Sequence, residues 1–159
     1  MNDISARDVS VLSEGRLLIP LDVNAPMTDG SDDVFLLAEG EVVANVLTPL
    51  GPHPIGVPRA PALLSLHGAL TGAFDRCRYD PRPGAGMYVF SGTDARQHLF
   101  DPSPAGAAFR RLALASVTTA LRDVNGALVR FFDGIVPDPN WKPRPAPPSA
   151  DLPAASPAD

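Results

Sequence analysis

Residues 103–134 constrain this chain more than any other stretch, because they carry its one sustained apolar period. Leu114, Val117, Leu121, Val124, Leu128, Phe131 and Ile135 follow one another at alternating intervals of three and four, which lines them along one side of an α-helix. Such a line is a seam that faces either the protein's own core or a partner. Both ends carry helix signals. Ser103 can accept from the first free amides, Pro104 fits the first helical position, and Gly134 can take the left-handed conformation that closes a helix. Asn125-Gly126 opposes this reading, since that pair is a strong hairpin signal. Pairing outward from such a turn sets Asp123 against Leu128, Arg122 against Val129 and Leu121 against Arg130, each time a charge beside an apolar chain. The helix groups these residues better. The expectation is therefore a helix with a kink, or a close backbone approach, near Gly126, where glycine costs roughly 1 kcal/mol relative to alanine.

At about 1.5 Å per residue this helix spans roughly 45 Å, longer than a small sheet can cover. It has no Glu or Lys for the i,i+4 pairs that support a solvated helix, and Ala113, Ala120 and Ala127 flank the seam with flat apolar surface. The seam from Leu114 to Phe131, joined by Trp141, is the expected partner interface.

A chain of 159 residues with 45% hydrophobic content can form one core and hardly two. A net charge of −5 argues against nucleic acid and anionic membranes as partners, because phosphate neutralisation needs clustered cations. Arg110-Arg111 is the only adjacent basic pair and reads as local. The lone Cys77 excludes an internal disulfide framework and a multi-cysteine zinc site. Residues 1–11 carry Asp3, Arg7 and Asp8 where a signal peptide needs an apolar centre, and no apolar run approaches the length of a membrane span. The expectation is a soluble protein, cytoplasmic or virion-associated.

Residues 1–8 read as loose. Short strands are expected around residues 9–12 and 17–21, with Pro20 confining the second to an edge. Residues 34–38 and 42–47 flank Glu39-Gly40-Glu41 and form the most credible hairpin. The runs are continuous rather than alternating, with Val34, Phe35, Leu36 and Leu37 all apolar, so both faces should be covered, the second by the long helix or by another subunit. Residues 49–61, with five prolines and two glycines, read as a stiff extended connector. A second helix is expected over residues 61–74, a charged loop over 76–86, a short strand over 87–90 and a polar turn over 91–97. Residues 136–159 hold eight prolines and little apolar bulk, the composition of a disordered or polyproline tail able to dock on another subunit. The fold class expected is α+β: a small, mostly antiparallel sheet of four or five strands packed on one long C-terminal and one shorter helix. A single domain over residues 9–135 would carry it, ahead of the tail.

The chemical candidates are weak. His67, on the helical face with Leu63 and Leu70, reads as a neutral core histidine. His53, His67, His98 and Cys77 lack the short ligand spacings of a metal site, so no metal or other cofactor is expected. Cys77 lies between Arg76 and Arg78, cations that favour a thiolate, and could pair with His67 or His98 as a nucleophile. Gly84-Ala85-Gly86 lacks the strand-before, helix-after setting of a phosphate loop. The favoured function is therefore non-enzymatic: a structural or assembly subunit, of a virion or as an accessory component, that oligomerises or docks through its long helix and apolar strands. The alternative is a small enzyme or ligand-binding domain that uses the Cys77 loop with a histidine.

Overall fold

In the structure, a computed structural model, residues 6–28, 32–71 and 77–133 are described, the last three by backbone alone. In chain order the elements are α1 (Ala6–Ser13), β1 (Ile19–Pro20), β2 (Met27–Thr28), β3 (Val34–Glu39), β4 (Val42–Thr48), β5 (Gly51–Gly56), β6 (Ala62–Leu64), α2 (Leu66–Thr71), β7 (Cys77–Pro81), β8 (Gly86–Phe90), α3 (Gly92–Phe100) and α4 (Pro104–Asp133). The strands form two four-stranded antiparallel sheets, ordered β1-β8-β3-β6 and β2-β7-β4-β5. The expected α+β architecture, antiparallel strands with a long C-terminal helix and a shorter one, is what the chain adopts, with its strands divided between two sheets.

The continuously apolar runs follow from layering. Along β3, Val34 and Leu36 face a core shared with Leu12 of α1, Leu66 of α2, Ala95 of α3 and Phe109 and Leu112 of α4. Phe35 and Leu37, one step out of phase, face the other sheet and meet Val42, Ala44, Leu64 and Tyr79. Period-two alternation thus puts one strand's side chains into two cores. The sheet holding β3 is the middle layer, and α4 with the other helices covers its outer face.

Several local expectations fail for identifiable reasons. The run from β3 to β4 is not a hairpin but a corner between sheets. Gly40 turns it at φ +71°, and a Cβ there would lie 2.8 Å from the Ala85 backbone. Residues 9–12 belong to helix α1, tied to α4 by a bond from Arg111 to the buried carboxylate of Asp8. The proline-rich connector contains β5, an edge strand in which Pro52 and Pro54 oppose Leu47 and Asn45; only an edge tolerates the missing donors. The expected helix over residues 61–74 instead begins as β6, paired with β3, and α2 is six residues long. The charged loop after residue 76 contains β7, in the interior of its sheet. The polar turn over residues 91–97 belongs to α3, whose N-cap Ser91 accepts from the Asp94 amide at 3.1 Å.

The long helix is continuous through Asn125-Gly126. The Ser103 hydroxyl accepts from the Gly106 amide at 3.2 Å and itself donates to Asp101. The Arg110 guanidinium donates to the carbonyl oxygens of Leu99 and Asp101, at 3.1 and 2.7 Å, closing the end of α3 against α4. Phe109, Leu112, Ala108 and Ala113 anchor the first half of α4 in the core. The seam points elsewhere: Leu114 is 62% and Leu121 60% exposed, and Val117 and Leu128 are exposed too. Trp141 and the expected tail lie outside the described residues, as does the Phe131 side chain.

Candidate ligand cavity

Where the middle of α4 leaves the core it does not lie flat on the strands, and a cavity of about 400 Å³ remains beneath it. Ala44 and Tyr79 of the outer sheet, the segment from Ala62 to His67, and Val117, Ala120, Leu121 and Val124 of α4 form its walls. Most of this lining is apolar, and the polar groups in it are few and placed. Ser116 Oγ of α4 accepts from the Leu63 amide at 2.8 Å, pinning β6 to the helix at the cavity wall. Ser65, between β6 and α2, is buried and takes φ 59°, a left-handed conformation that costs a residue with a Cβ of order 1–3 kcal/mol. Its amide meets Tyr79 Oη at 3.4 Å, while its buried hydroxyl has no hydrogen-bond partner among the described residues. The strained backbone and the enclosed hydroxyl single out Ser65 at the junction of β6 and α2, in the cavity wall.

The sequence candidates separate. Cys77 and His67 both line the cavity. His67 is exposed at its mouth, with its ring nitrogen 3.4 Å from Thr71 Oγ1, and is not a core histidine. Cys77 lies in a strand, not a loop. One of its flanking cations, Arg78, is bonded to Asp80 at 2.7 Å. His98 is remote from both: its ring stacks on Phe109 at 5.5 Å and meets Phe90 edge-on at 5.9 Å. His53 lies exposed on edge strand β5. Among the described residues no three His, Cys, Asp or Glu side chains come together as metal ligands. Ser65 and Ser116 were not legible as site residues, because only the fold brings them to the cavity.

No protein-family model matches the sequence, and no curated protein matches it significantly. Solved structures do share its fold. The c-di-GMP-responsive global regulator CLP of Xanthomonas campestris superposes with a TM-score of 0.62 at 12% identity, over 89% of this chain and 77% of that one. The CO-dependent transcription factor CooA of Carboxydothermus hydrogenoformans gives 0.56 at 11% identity, over 82% of this chain and 54% of its own. A cyclic nucleotide-binding domain from Methylobacillus flagellatus gives 0.53 at 20% identity, over 89% and 78%. The chain therefore has the fold of these regulator and nucleotide-binding domains. The expectation of a structural or virion subunit is overturned by this likeness, and the virion setting goes with it. Among the described residues no helix is long and apolar enough to cross a membrane.

Proposed function

We propose that the chain is a ligand-sensing regulatory domain: a small molecule binds between the strands and α4, and two copies associate through the outer face of that helix. The observation that carries this reading is that one set of side chains serves both places. Val117, Leu121 and Val124 line the cavity and also belong to the three-and-four seam. That spacing is the a/d pattern with which a helix packs against its own copy, so a ligand beneath α4 touches residues that a second chain touches from outside. The likeness to regulator domains supports the class. The ligand is not transferred with it, because proteins of this fold are described as c-di-GMP-responsive, CO-dependent and cyclic nucleotide-binding in turn.

In this reading the domain runs from α1 to residue 135, and the proline-rich segment after it, with Trp141, is a tether to a further partner. The net charge of this chain is no ground for excluding nucleic acid from the assembly, since one protein of this fold is described as a transcription factor and another as a regulator of virulence gene expression.

The neutral fluorophore N-phenyl-1-naphthylamine tests the cavity. Its emission rises with the wild-type chain, and Ala120→Trp, an exposed position whose larger side chain enters the cavity, removes the rise while leaving the circular dichroism unchanged. Emission that is equal for both proteins contradicts the cavity reading.

A further inference from the structure

Beside the apolar cavity lies a second recess of about 320 Å³, and the two share Ile55, Arg59 and Asp123. Its chemistry is opposite. Arg122, Gly126 and Arg130 succeed one another at intervals of four along α4 and therefore stand on one face of the helix. Gly126, which the sequence marks as a flaw in the helix, lies between the two arginines. Among the described residues a Cβ built there would meet nothing closer than the Arg130 guanidinium at 3.5 Å, an ordinary contact, so no neighbouring backbone closes on the glycine.

Arg59 reaches the recess from the β5–β6 connection and is bonded to Glu41 at 3.1 Å. Neither Arg122 nor Arg130 has a hydrogen-bond or ion-pair partner among the described residues, whereas Arg78, Arg82, Arg96, Arg110 and Arg111 are all engaged. Asp123 is the one carboxylate in the lining, packed against Gly56. With Arg59 engaged by Glu41, the two guanidinium groups of Arg122 and Arg130 against the one carboxylate of Asp123 leave one positive charge over, in a chain whose net charge is −5. Planar forks of this kind bind carboxylate and phosphate oxygens in pairs.

We infer that the ligand is an amphipathic anion, with an apolar body in the cavity against Leu63, Leu66, Val117 and Leu121 and a single carboxylate or phosphate on Arg122 and Arg130. This inference rests on the proposed cavity and adds the chemical class of its occupant. A hydroxyl-rich nucleotide fits the lining poorly, since the cavity wall is mainly aliphatic and Ser116, one of its few hydroxyls, is already bonded to the Leu63 amide.

Displacement of N-phenyl-1-naphthylamine from the full chain by octanoate, octyl phosphate and 1-octanol tests the inference. At least one of the two anions should displace the fluorophore about tenfold or more below the concentration that 1-octanol requires, and whichever is the stronger identifies the headgroup. The double variant Arg122→Gln/Arg130→Gln, at two exposed positions, should bring the anions to within about threefold of 1-octanol and leave 1-octanol unchanged. Equal displacement by all three compounds from the wild-type chain overturns the inference and leaves the cavity reading standing. So does an anion preference that survives the double variant, or tight binding of cyclic AMP that the variant does not alter. Fluorophore emission that Ala120→Trp fails to remove overturns the cavity reading and this inference with it.

Discussion

Single residues set the conditions on which the site depends. Ser103 caps α4 and is held by Asp101, so Ser103→Ala should cost about 1 kcal/mol in urea denaturation. The hydrogen bond from the Ser103 hydroxyl holds the Asp101 carboxyl below its ordinary range, assisted by the Ser103 amide and opposed by desolvation. A carboxyl depressed in the folded state contributes stability above the unfolded value, near pH 4, and loses it as the pH falls further. Acid unfolding of Asp101→Asn should therefore begin at lower pH than that of the wild type, relative to each protein's stability at neutral pH. Ser65→Gly relieves the left-handed strain and should raise stability by about 1 kcal/mol in the same denaturation, while weakening binding of any ligand that uses the hydroxyl. A variant less stable than the wild type would show that the Ser65 side chain supports the fold rather than the site.

At the scale of elements, α4 has two halves with different tasks. Its first half is a core element: Phe109 is wholly buried against Phe90 and His98, and Phe109→Ala should cost about 3–5 kcal/mol by thermal or urea unfolding. Its second half carries the exposed seam, the cavity wall and the arginine recess. The start and continuity of this helix were legible because capping, proline placement and period all agree over thirty residues. The double burial of β3 was legible for a related reason, since an unbroken apolar run has no solvent face. What could not be read was the partner of each strand. Glu39-Gly40-Glu41 fits a hairpin or a corner equally well, and only the approach of the Ala85 backbone to Gly40 decides for the corner. Pro52 and Pro54 concealed an edge strand, and the prolines and glycines around β7 concealed an inner one. Of the site, Cys77 and His67 were visible as chemistry without a location. Arg122, Gly126 and Arg130 had a readable signal, a glycine set between two arginines at helical spacing, that the hairpin question over Asn125-Gly126 hid. Ser65 had none, because its conformation is imposed by the strand-to-helix junction.

At the scale of the whole molecule, one helix borders both a cavity inside the fold and a surface outside it. Leu114 and Leu128 belong to the seam but not to the cavity lining, so Leu114→Glu/Leu128→Glu separates the two. It should raise the dissociation constant of the dimer at least about tenfold and leave N-phenyl-1-naphthylamine emission at the monomer level intact. Ligand that binds the two association states unequally must shift their equilibrium by the same factor. Sedimentation equilibrium of the full chain, with and without saturating N-phenyl-1-naphthylamine, tests that link most directly. A reversible dimer whose dissociation constant moves by about fivefold or more on saturation is the predicted result. A monomer at every concentration, or a dimer indifferent to the bound fluorophore, would contradict it.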